Sequence, residues 1–280
     1  MIIFSKNRPM QLCATLESLL NRSNYLEVHK KYKINVLYKI TPEYTESYKK
    51  IIEIFRDYFN FVQEKDFPND VIKILEKNEY ILFLVDDTIF IRDFKFENIF
   101  SIFENIVNLI GVSLRLSLDT TYCYSINQKQ KIPDTCHCYN DFYIYDWSKA
   151  QFDFQYPIDL SSSFYKTEIL LPFIKEIKDS CINPNYLEHF LFMNIIQKAQ
   201  YGRLNNLYNL AFPKKSIAVS VPANIVNDFV KNRYMENGIT PENLLTFFEN
   251  GYRIDVDLLK DYPNQSVHEQ INLENYFKRI

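Results

Sequence analysis

The feature that most constrains the fold is an alternation of short apolar runs with helix-patterned segments over the first ninety or so residues. Ile2-Ile3-Phe4-Ser5, residues 33–38, Phe61-Val62-Gln63 and Tyr80-Ile81-Leu82-Phe83-Leu84-Val85 read as strands. Between them lie three predicted helices. The first runs from Met10 to about Asn21, with Leu12, Leu16, Leu19 and Leu20 at helical spacing and Pro9 suited to its first position. The others cover 44–59 and 70–77. Strands alternating with helices predict an α/β chain with a mainly parallel sheet flanked by helices on both faces. Such sheets bind ligands outside the carboxyl ends of their strands. Arg8, Glu64 and the pair Asp86-Asp87 all fall just after predicted strand ends, so they are expected to face one crevice.

The second half is less regular. A strand is expected over 111–116, long loops over 120–146, helices over 168–177 and 186–199, and a short strand within 215–222. A helix opening at Pro241 is expected to stop near Gly251, a capping glycine. The tail after Lys260 reads as loop. Neither an internal repeat nor a low-complexity linker interrupts the 280 residues, so a single domain over 1–280 is expected.

Composition removes several function classes. A formal net charge of -3 lacks the basic surface that nucleic-acid binding requires. With only 4 glycines, neither the dinucleotide-binding nor the P-loop glycine pattern is present. A hydrophobic fraction of 47% supports a sizeable core. The 5 cysteines are read as free thiols in a reducing compartment. The N-terminus lacks the apolar stretch of a secretory leader, and no segment approaches the ~20 apolar residues of a membrane span. These features predict a cytoplasmic protein, with room for peripheral contact at a membrane that carries its substrate.

The Asp86-Asp87 pair ends a buried strand. Two carboxylates delivered into a crevice suit a hard divalent cation, although acids are also common in strand-end turns. Taken in order, Ser5-Lys6-Asn7-Arg8-Pro9, Leu84-Val85-Asp86-Asp87-Thr88-Ile89-Phe90, Ser113-Leu114-Arg115-Leu116, Asn183-Pro184-Asn185-Tyr186-Leu187-Glu188, Asn250-Gly251-Tyr252-Arg253-Ile254-Asp255 and Ser266-Val267-His268-Glu269 span residues 1 to about 270. Together they resemble nucleotide-sugar glycosyltransferases of the GT-A fold, in a family 2-like microbial branch. The resemblance implies a nucleotide-binding half over about 1–110 and an acceptor and catalytic half over about 111–280. It implies Mn²⁺ or Mg²⁺ at Asp87 with His268 completing the site, and nucleotide contacts from Ser5, Asn7, Arg8, Glu64 and Asp86. The donor implied is a nucleotide-diphosphate sugar, a UDP-sugar foremost. The acceptor is a glycan, a lipid-linked glycan or a protein, with surface polysaccharide synthesis as the setting. Two departures stand out: the acids are adjacent where the family has Asp-x-Asp, and Ser161-Ser162-Ser163 stands where relatives often carry glycine.

Glu188 is the candidate catalytic base, with Asp159 the runner-up. If Asn185 caps a helix beginning at Tyr186, Glu188 occupies the third helical position, where a capping role competes with catalysis. Arg115, inside a predicted strand, requires a partner, either an acid or a diphosphate. Cys136-His137-Cys138, with Cys123 upstream, is spaced too tightly for an ordinary zinc site. Rival readings of the acid pair are a nucleotidyltransferase or phosphohydrolase, or a non-catalytic binding module that keeps the fold.

Overall fold

The computed structural model describes residues 1–134, 137–222 and 239–280. Its first third follows the predicted alternation. Strands β1 (Ile2–Lys6), β2 (Asn35–Lys39), β3 (Asn60–Gln63) and β4 (Tyr80–Val85) are separated by helices α1 (Pro9–Arg22), α2 (Tyr25–Val28), α3 (Thr45–Phe55) and α4 (Phe67–Leu75). The four strands pair in parallel in the order β3-β2-β1-β4. β4 lies inside the sheet and its first five residues are all buried, which is why it reads as an unbroken apolar run. Pro9 opens α1, where its missing N–H costs nothing.

A short strand β5 (Thr88–Phe90) follows the acid pair, then α5 (Phe96–Asn105) and β6 (Leu109–Ser113). Beyond β4 the nine-stranded sheet continues with Ser163–Lys166, β6, Asn209–Pro213, Phe142–Asp146 and His137–Tyr139. Ser163–Lys166 runs antiparallel to both β4 and β6, so the second half of the sheet is mixed. Helices α6 (Thr167–Ile177), α7 (Pro184–Gln200) and α8 (Pro241–Glu249) complete the layers. One apolar core joins α1, α3, α5 and α8 to one face of the sheet, and a second joins α4, α6 and α7 to the other. This is the two-faced α/β arrangement the sequence predicts.

Four local expectations are corrected. α3 ends at Phe55, short of 59, because Phe59 turns inward to stack on Tyr25 at 5.2 Å and leads into β3. The stretch expected as loop over 120–146 contains Phe142–Asp146, an interior strand between Asn209–Pro213 and His137–Tyr139. Its run of aromatic and β-branched side chains suits a pleated surface, and only sheet pairing reveals it. β6 starts and ends earlier than expected, which leaves Arg115 past the strand end. The C-terminal tail is tied down: Phe277–Arg279 pairs with Tyr252–Ile254, and His268 bridges to Ser220. Gly251 ends the α8 segment with φ +83, as a capping glycine should.

Gly111 is fixed by packing. A Cβ there would meet the Tyr165 ring at 2.6 Å and the Phe164 carbonyl oxygen at 3.0 Å. Gly111→Ala is therefore expected to destabilise the fold by about 1–3 kcal/mol, the usual cost of overpacking, read as a lower midpoint in urea unfolding.

Candidate active site

The carboxyl ends of β1, β2, β4 and β6 open onto one cleft of about 1030 Å³. Ser5, Arg8, Glu64, Asp86, Asp87, Asp159, Glu188 and His268 all line it. Topology brings Ser5, Arg8, Glu64, Asp86 and Asp87 together, since strand ends of a parallel sheet share one edge, while Asp159 comes from the loop before Ser163–Lys166, Glu188 from α7 and His268 from the C-terminal tail. Asn7 does not line the cleft. Its φ of +55 suits asparagine, and its side chain exchanges hydrogen bonds with Thr41 at 3.0 and 3.1 Å, tying the β1–α1 loop to the loop before α3.

Arg8 pairs with the two acids of its own domain. Its Nη1 donates to Asp86 Oδ1 at 3.0 Å and to Asp87 Oδ2 at 3.2 Å. Asp86 also accepts the Lys6 N–H at 3.0 Å, so this carboxylate clamps the β1–α1 loop. Asp87 Oδ1 is buried and has no partner among the described residues. Desolvation, with Asp86 adding like charge, raises the Asp87 pKa against the pull of Arg8 and Arg115. Ser5 Oγ shares a 2.5 Å hydrogen bond with the Tyr48 hydroxyl, and Glu64 pairs with Lys39 at 2.9 Å.

The opposite wall is organised by Arg115. Its Nε and Nη2 fork onto Asp159 at 3.2 and 2.8 Å, and its Nη1 donates to Ser220 Oγ at 2.7 Å and to the Val267 carbonyl at 3.4 Å. Side-chain exposures of 7% and 11% make this a buried ion pair. Arg115 Nη1 also lies 3.4 Å from His268 Nε2. Burial and the Arg115 charge lower the His268 pKa to about 3, so the ring is neutral at pH 7. His268 Nδ1 is buried without a partner among the described residues.

Glu188 lies on α7. The helix is capped by Asn183, whose side chain accepts the Tyr186 N–H at 3.1 Å, and Pro184 opens it. Glu188 is therefore the fifth helical residue, and the capping role considered for it falls away. Its carboxylate instead accepts hydrogen bonds from the Tyr156 hydroxyl and the Leu160 N–H. Desolvation and the nearby Asp159 charge push its pKa up to about 7. Asp159 is already committed to Arg115 and to the Ser161 N–H at 2.7 Å.

Sequence reading missed Tyr156 and Ser220. Tyr156 is one of 21 tyrosines and no local signal marks it. In the structure it stacks on Phe192 at 4.5 Å and holds Glu188. Ser162 takes φ +85, a conformation for which glycine is the default. Among the described residues no group of three or more metal-ligating side chains converges. Cys138 is exposed on the sheet edge, Cys123 is a buried free thiol bonded to Asp153, and Cys136 lies outside the described residues.

No protein-family model matches this chain. It is 27% identical over 296 aligned positions to the bifunctional glycosyltransferase pgtA of Dictyostelium discoideum, with 98% of the chain and 36% of that protein covered. Over nearly its whole length the chain is similar to part of a glycosyltransferase. It spans about a third of the length of the curated relative it matches. Among solved structures, the apo form of mouse xyloside xylosyltransferase 1 aligns over 72% of this chain and 82% of its own, at 10% identity and a TM-score of 0.34. No helix among the described residues is long and apolar enough to cross a membrane.

Removing one partner of the buried pair leaves an uncompensated charge. Arg115→Ala is expected to cost about 3–5 kcal/mol in urea unfolding, and Arg115→Lys to recover only part of it, because an ammonium cannot reproduce the fork.

Proposed function

We propose that this chain transfers a sugar from a nucleotide-diphosphate sugar, foremost a UDP-sugar, to a hydroxyl of a glycan, lipid-linked or protein acceptor in surface glycan synthesis. The observation that carries this is the pairing, in one cleft, of an acid pair with an unsatisfied carboxylate oxygen and, on the facing wall, a glutamate whose proton affinity is tuned to neutral pH.

The β1 and β2 ends would hold the nucleotide. Ser5, Arg8, Glu64 and Asp86 offer donors and acceptors for base and ribose, with Asn7 shaping the loop behind them. Among the described residues, Asp87 Oδ1 and His268 Nδ1 are buried atoms of cleft-lining side chains without a hydrogen-bond partner, and the carboxylate, with the imidazole in its Nε2–H tautomer, fits a divalent cation. Mg²⁺ and Mn²⁺ are commonly held by one or two protein ligands together with substrate phosphates, which suits a site with few protein ligands. When bound, the metal supplies charge neutralisation at the leaving diphosphate.

Glu188 would take the proton from the acceptor hydroxyl. The acceptor oxygen forms the new bond to the anomeric carbon, and the bond to the diphosphate breaks with its electron pair leaving on the phosphate oxygen. Tyr156 and the Leu160 N–H orient the carboxylate, and Arg115 holds Asp159 out of the proton transfer. A base opposite the leaving group gives in-line displacement, so product analysis is expected to show inversion at the anomeric carbon.

The base must be ionised to act. With its pKa raised to about 7, kcat should rise as pH passes through about 7 and fall roughly tenfold per unit below it. Glu188→Gln is expected to lose about 10²-fold or more in kcat and to abolish that limb of the pH profile. A chelator should stop transfer and Mn²⁺ or Mg²⁺ should restore it. Asp87→Ala is expected to be inactive with metal in excess, measured as release of nucleoside diphosphate coupled to acceptor glycosylation.

A further inference from the structure

The two ends of the cleft differ in net charge: Lys6, Arg8 and Lys39 are matched by Glu64, Asp86 and Asp87, whereas Arg115 stands against Asp153, Asp159 and Glu188. The arginines and lysines that line it, Lys6, Arg8, Lys39 and Arg115, all come from the ends of β1, β2 and β6. Beyond Arg115 the described lining residues include no lysine or arginine, while Asp153, Asp159 and Glu188 lie there. Asp159 offsets Arg115, which leaves Asp153 and Glu188 as the excess on this wall.

The same end carries aromatic rings. Phe152 and Tyr156 stand four residues apart at the two ends of one short helical turn. Phe152 holds φ +54, a left-handed conformation that a bulky side chain rarely takes. The hairpin that bears Tyr124 and Ile126 is docked beside them, with Cys123 Sγ donating to Asp153 Oδ1 at 3.3 Å and Gln130 Nε2 to Asp153 Oδ2 at 2.8 Å. Ile126 is 45% exposed on the rim. Tyr156 joins this shelf to Glu188 through its hydroxyl. Apolar ring faces beside a proton acceptor, with an excess of negative charge and with Arg115 engaged by Asp159, match the apolar C–H face and free hydroxyls of a sugar ring. They oppose a phosphate or a carboxylate at the same place.

Resting on the transferase reading above, we propose that the acceptor bound next to Glu188 is an uncharged sugar ring seated against Phe152, and not the phosphate end of a lipid carrier. The strained backbone at Phe152 serves to aim its ring into the cleft.

The test is saturation-transfer NMR on the whole chain. The probes are methyl glycosides of common hexoses and N-acetylhexosamines, their 6-phosphates, and vesicles carrying a polyprenyl diphosphate. The neutral glycosides are expected to bind, with the strongest transfer to ring C–H protons, and the 6-phosphates to bind more weakly. Phe152→Gly should weaken glycoside binding at least about tenfold, the loss of one stacking contact. Glycine accepts φ +54 without strain, so this variant keeps the fold, as an undiminished melting temperature checks. Failure of every neutral glycoside to bind, equal or tighter binding of the phosphates or the diphosphate vesicles, or unchanged affinity in Phe152→Gly overturns the proposal. Titration of the wild-type chain with UDP and Mg²⁺ tests the transferase reading separately. No nucleotide binding sinks that reading whatever the glycosides do.

Discussion

The buried fork between Arg115 and Asp159 is the contact on which the cleft depends. Arg115 follows β6, Asp159 precedes the strand Ser163–Lys166, and the same guanidinium reaches Ser220, the Val267 carbonyl and His268. Four chain segments distant in sequence are thus held by one side chain. Desolvating a guanidinium is costly, and the cost is offset only because nearly every donor finds an acceptor. The arrangement also sets the electrostatics. The Arg115 charge helps keep His268 neutral and draws down the proton affinity of both Asp87 and Glu188, while its partner Asp159 raises that of Glu188.

Arg8 performs the matching task on the other wall. By bridging Asp86 and Asp87 it lets two adjacent carboxylates stay close without repelling each other apart. The adjacency of the acids, a departure from the family's usual spacing, thereby acquires a structural account. One acid clamps the β1–α1 loop, and the other turns an oxygen toward the cleft. The two walls differ in net charge: around Arg8 the cations are matched by Glu64, Asp86 and Asp87, whereas Asp153, Asp159 and Glu188 outnumber Arg115.

Much of the first half is legible in the sequence, because its elements are local. β1, β4 and α1 are specified by apolar runs, helical spacing and Pro9, and a parallel sheet then places Arg8, Glu64 and Asp86-Asp87 at one edge. The second half resists reading. Phe142–Asp146 looks like loop until Asn209–Pro213 pairs with it, and the cap of α7 shifts from Asn185 to Asn183, which moves Glu188 from a capping position to the cleft wall. Tyr156 is hidden among many similar residues, and nothing in its neighbours announces that it meets Glu188.

The sequence by itself determined the strand–helix alternation, the edge of the sheet where the cleft opens, the acid pair at that edge and the likeness to glycosyltransferases. Only the tertiary structure decided which atom of the pair is left unsatisfied, that His268 is buried and neutral, and that Glu188 holds its proton to near pH 7. The physical reason is that these properties come from burial and from charges that separate segments of the chain bring together. Periodicity and spacing report which elements form, whereas desolvation and Coulomb interaction depend on what those elements enclose.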